Sequence, residues 1–161
     1  MPAKLIAGCL LTMLCYAGGR EYVLILKGRM KTAEAYGRFA ENLASAVTFS
    51  RKSVHTYCGS ARNLPGLGEW IRQHPEEPLS SACASFRPEN DTEKLCAERM
   101  KEALLLSESS SDAEHIGRAF RAAAEEIRAL LLEMKEEYGS KIRLAPRLAL
   151  AMGAFTAVIM L

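Results

Sequence analysis

Two uncharged runs bracket a charged middle, and they constrain the fold of these 161 residues more than any other feature. The first lies between Lys4 and Arg20 and holds fifteen residues. The second closes the chain as "PRLALAMGAFTAVIML", with no charge from Leu148 to Leu161. At ~1.5 Å per residue the first run covers roughly 22 Å as a helix. A helix from Leu144 covers roughly 27 Å, against a hydrocarbon core of ~30 Å. Lys4, Arg20 and Arg147 can snorkel and so lengthen both spans. A core helix of a soluble bundle shows polar residues on its outer face at a period of 3.6. After Arg147 the one polar side chain is Thr156, so the pair of runs predicts a helical hairpin in a membrane.

The first run also admits two other readings. Lys4, the apolar stretch and Ala17-Gly18-Gly19 fit a cleaved signal peptide. Ile6-Ala7-Gly8-Cys9 has the small residues of a lipid-attachment site, although Cys9 follows Lys4 too closely for a normal signal core. The alternative function is therefore a secreted or lipid-anchored helical interaction protein. A soluble binding bundle with a core terminal helix is a third.

Basic residues orient the hairpin. Arg20, Lys27, Arg29 and Lys31 follow the first run, and Lys135, Lys141, Arg143 and Arg147 precede or open the second. The middle is expected in the cytoplasm, with both termini on the far side of a cell membrane. Five cysteines, an odd number without a CxxC pair, suit a reducing compartment. Net charge is only +2, which argues against a nucleic-acid partner.

The middle reads as helix throughout, so the fold class is all-α: a cytoplasmic helical bundle flanked by two spans. Residues 1–19 form the first span, 20–143 the bundle and 144–161 the second span. From Glu21, small or apolar residues recur at Tyr22, Leu26, Met30, Ala33, Gly37, Ala40, Leu43 and Val47, one face of a helix. Gly28 and Gly37 weaken that helix and suggest close approach of a neighbour. Short helices are predicted over 51–58, 67–72 and 79–86, separated by turns at Gly59, Pro65 and "QHPEEP". Asn90 or Asp91 caps the next helix, with Glu93 in its first turn. Ser111-Asp112-Ala113-Glu114 reads as a capping box with Ser111 at N-cap and Glu114 at N3. Ile116, Phe120, Ala123, Ile127, Leu131, Met134 and Tyr138 then make a bundle seam that runs almost without interruption into the second span.

Catalytic patterns are missing. His55, His74 and His115 have no zinc spacing, and no phosphate loop or nucleophile elbow occurs. Trp70 reads as a core or membrane-interface residue. The chain is expected to be no enzyme, to need no cofactor or metal, and to work by holding partners.

Leu26-Lys27-Gly28-Arg29-Met30 follows the first run, Ser111-Asp112 opens the last long helix, and "AMGAFTAVIML" ends it. In these residues and in layout the chain resembles the stage III sporulation protein AB family of endospore-forming bacteria, with Leu26, Lys27, Arg29, Ser111 and Asp112 at family-motif positions. It departs where the family has glutamates late in the first helix: Ala44, Ala46 and Phe49 stand nearest. "RKSVHTY" replaces a Thr-Pro-Leu-Pro turn. The resemblance implies a platform like the helical domain of type II secretion inner-membrane proteins, set in the mother cell's outer forespore membrane. Its implied partners are a secretion-type ATPase resembling stage III sporulation protein AA and other channel components. Asp112 and Glu114 are the expected contacts, beyond the capping that already explains them.

Overall fold

Helix α1 starts at Pro2 and does not end until Ser50, so the first apolar run and the periodic stretch that follows it are one element. Four shorter helices follow: α2 (Val54–Ser60), α3 (Gly66–Gln73), α4 (Leu79–Ser85) and α5 (Asp91–Ser109). Helix α6, Ala113–Met160, likewise joins the bundle seam to the closing apolar run. The computed structural model describes the backbone of residues 2–160 and the side chains of residues 6–158. Among them there is no strand, and the all-α expectation holds. The Lys4 side chain and the terminal Ile159-Met160-Leu161 lie outside the described side chains.

The chain forms two compact units. One is Met1–Met30 with Glu133–Leu161, and the other is Lys31–Leu132. The second has the larger core, one face of every helix. Helix α1 supplies Ala33, Tyr36, Phe39, Ala40 and Leu43, and α6 supplies Ile116, Phe120, Ala123 and Ile127. Helices α2 to α5 close it with Cys58, Leu67, Ile71, Ala82, Cys96, Met100 and Leu104. Ion pairs at the rim link Glu41 to Arg128, and Arg99 to Glu126 at 3.0 Å. They are exposed, so each is worth at most about 1 kcal/mol.

The predicted faces are largely the buried ones, with exceptions. Tyr22 is exposed, Met30, Leu131 and Tyr138 are half-buried, and Val23 takes the inward place near Tyr22. Gly37 lets Ile127 approach, whereas a Cβ on Gly28 would meet nothing. Trp70 is half-buried. It lies against His74 with ring centroids 4.1 Å apart, and its indole donates to Ser85 Oγ.

Two caps differ from each other in how well they were legible. Asn90 caps α5, its Oδ1 accepting the Glu93 N–H at 2.9 Å. For α6 the cap is Asp112 and not Ser111, which corrects the expected capping box. Asp112 Oδ1 accepts the N–H groups of Glu114 at 3.0 Å and His115 at 3.3 Å. Ser110 Oγ in turn accepts the Asp112 N–H. The helix begins one residue later than the Ser-x-x-Glu spacing implies, and the Asp112 carboxylate satisfies two of its orphan donors. Glu114 therefore sits at N2, where its charge suits the helix dipole.

A polar node sits inside this core. Tyr36 is wholly buried; its hydroxyl donates to Glu93 Oε1 at 3.2 Å and accepts the Leu67 N–H at 3.0 Å. Glu93 Oε2 accepts the Glu89 N–H at 2.7 Å. The carboxylate also occupies the space a side chain on Gly66 would need. Burial pushes the Tyr36 hydroxyl far above its ordinary value, so it stays a donor throughout the working range.

Buried thiols give the unit an alkaline limit. All five cysteines are free. Burial pushes the Cys58 thiol up to about 12 and Cys96 up to about 11, from 9.0. The unfolded chain ionises these thiols above pH 9 while the folded one does not. Stability is thus complete below pH 9 and falls as pH rises, by about 1.4 kcal/mol per thiol for each unit up to its folded value. Urea unfolding of the full chain in detergent, followed by helicity, should show a loss of about 2–3 kcal/mol between pH 8 and pH 10. An unchanged midpoint would contradict it.

Candidate functional site: an apolar hairpin and a charged hollow

The unit built from both chain ends is packed inside out. In it, α1 and the end of α6 run antiparallel and touch through small residues. A Cβ on Gly8 would lie 3.1 Å from Ala157 Cβ. One on Gly153 would lie 2.8 Å from Thr12 Cα and 3.3 Å from Cys15 Cβ. One on Gly19 would lie 2.7 Å from Ala149 Cβ and 3.2 Å from the Ala145 carbonyl. Backbones come this close only where side chains are nearly absent, which is how membrane helices pack. Thr12 fits the same pattern, its hydroxyl donating to the Gly8 carbonyl at 2.9 Å.

The large apolar side chains point the other way. Ile6, Leu10, Met13 and Leu14 on α1, and Leu148, Met152, Phe155 and Val158 on α6, are each 57–70% exposed. Among the described residues α1 is the one helix long and apolar enough to cross a membrane, and only 11% of its apolar window is buried. A water-soluble helix pair would reverse this arrangement, because burying large apolar surface is what drives association in water.

In the other unit, a hollow of about 560 Å³ opens where α1 ends and α2 and α6 begin. Val47, Ile116 and Ala113 form its apolar wall, and Ser53, Ser107 and Ser111 add hydroxyls. Arg51, Lys52, Asp112 and Glu114 line it as well, and none of these four forms an ion pair among the described residues. Arg51 has φ 48°, a left-handed conformation uncommon for a residue with a side chain. It turns the chain out of α1, and the Lys52 N–H donates back to the Ala46 carbonyl at 3.2 Å.

The structure gathers some predicted residues and separates others. Ser111, Asp112 and Glu114 meet at this hollow. Leu26, Lys27 and Arg29 belong to the hairpin unit, with Leu26 buried and Lys27 exposed. Ser111 and Asp112 belong to the other unit. The hairpin seam carries a signal of its own in the sequence: Ala145, Ala149, Gly153 and Ala157 recur every fourth residue, and Gly8, Thr12, Cys15 and Gly19 at spacings of four, three and four. Neither His55 nor His74 joins other metal-binding side chains, and among the described residues no cluster could hold a metal ion. No family model, curated protein or solved structure matches the chain.

Proposed function

We propose that this chain is a membrane-anchored helical platform, with both ends in the bilayer and residues 20–143 presented to the cytoplasm. The observation that supports it is the inversion in the hairpin unit, small residues inside and large apolar residues outside. Lipid is the partner that such a surface needs. The platform would hold protein partners on its helices and carry out no chemistry of its own. By its resemblance to the stage III sporulation protein AB family, the partners would be a secretion-type ATPase and the other components of a channel between mother cell and forespore. The hollow with Asp112, Glu114, Arg51 and Lys52 is the surface we assign to such a contact, because none of these four forms an ion pair among the described residues.

Protease access tests the topology. A cleavable tag inserted in the Gln73–Pro78 connection should be protected in intact protoplasts and cut in everted vesicles. Cutting in intact protoplasts would remove the platform function, and recovery without detergent would remove the membrane anchor.

A further inference from the structure

The hollow at the end of α1 draws its charges from two segments far apart in sequence. Arg51 and Lys52 stand in the turn that leaves α1, and Asp112 and Glu114 stand at the start of α6. All four side chains are exposed, and all four line one space of about 560 Å³. Yet neither cation pairs with either carboxylate. Both sets are held by the backbone. Asp112 is fixed by its capping bonds to the first turn of α6. Arg51 is the one residue other than glycine with a positive φ among the described residues. Conformations of that kind persist where the surroundings over-determine them, and they concentrate at ligand clamps. Val47 and Ile116, 7% and 5% exposed, supply the apolar wall.

The mixed lining selects against ligands of one sign. A phosphate or other anion gains at Arg51 and Lys52 but is repelled by Asp112 and Glu114, and a polycation meets the reverse. A partner that carries both signs about an apolar side chain satisfies the whole lining. Clefts for small molecules bury about 70–90% of the ligand's surface. Here the four charged groups are open to water. A protein segment suits such a place better, with its polar groups at the rim and its apolar side chain inside. We propose that the hollow receives a segment of a partner protein in which an acidic and a basic residue flank one apolar side chain. Arg51 and Lys52 pair with its carboxylate, Asp112 and Glu114 with its cation, and Val47 and Ile116 with the apolar group. The inference rests on the assignment of this hollow to a protein contact and adds to it the chemistry that the partner must present.

Three dye-labelled peptides with blocked ends, Glu-Ala-Leu-Ala-Lys, Glu-Ala-Leu-Ala-Glu and Lys-Ala-Leu-Ala-Lys, test it by fluorescence anisotropy with the full chain in non-ionic detergent. The mixed peptide should bind roughly tenfold tighter than either of the others, since each of those exchanges one attraction for a repulsion. R51E/K52E makes the lining acidic throughout and should move the preference to the doubly basic peptide. D112N/E114K makes it basic and should move the preference to the doubly acidic one, while Asn keeps the helix cap. Both variants should keep the helicity of the parent. Equal binding of the three peptides by the parent, or one order of preference shared by all three proteins, would overturn the inference. Displacement of the mixed peptide by free leucine at equal concentration would overturn the protein segment in favour of a small zwitterion. Cutting of the tagged chain in intact protoplasts would instead remove the platform function and leave the peptide ranking as it is, so the two failures are distinct.

Discussion

Tyr36→Ala should lose about 3–5 kcal/mol of unfolding free energy, the largest effect of any single change in the helical core. The side chain is wholly buried, so its removal leaves a cavity lined by three helices. It also strands the Leu67 N–H and one oxygen of Glu93. Tyr36→Phe separates the two contributions. It keeps the ring and removes the hydroxyl, and should cost about 1–3 kcal/mol through the orphaned groups alone. Combining Tyr36→Phe with Glu93→Ala should cost less than the two single changes added, because both break one shared hydrogen bond. Urea unfolding of the full chain in detergent, followed by helicity, measures all four. A Tyr36→Phe variant as stable as the parent would mean that the node holds nothing together.

Gly153→Leu should have the second-largest effect, and in the other unit. The added Cβ meets Thr12 Cα at 2.8 Å, and a backbone atom cannot rotate aside. The helices must separate, at a cost of roughly 1–3 kcal/mol. Spin labels at exposed Leu10 and Phe155, in reconstituted vesicles, should report a longer and broader distance between α1 and α6. Gly18→Leu is the control: a Cβ there meets nothing within 4 Å, so the distance should not change. Equal distances in all three proteins would show that the small residues do not set the spacing.

The helical periods were legible because burial in a bundle follows them closely. Ile116, Phe120, Ala123, Ile127 and Met134 lie inside as their spacing implies. The short helices were found within two or three residues by their Pro and Gly boundaries. What the sequence could not display was contact between distant positions. Nothing local to Tyr36 announces Glu93, 57 residues away. The α6 cap was misplaced by one residue because Ser110, Ser111 and Asp112 are all good caps, and only the geometry decides among them. The charged hollow was half visible. Asp112 and Glu114 stand out by their position at the start of a helix, whereas Arg51 and Lys52 join them only through the turn that ends α1.

The Tyr36–Glu93 node also acts as an alignment pin. Much of the buried face of α1 around it is small, with Ala33, Gly37, Ala40 and Ala44, and a smooth face of this kind fits a neighbour almost as well after sliding. A slide of one turn, about 5.4 Å, would carry the hydroxyl away from both of its partners. Each buried group left behind would cost about 1–3 kcal/mol. Displaced packings that apolar contact alone would tolerate are thereby excluded, and α1 keeps a single register against α3 and α5.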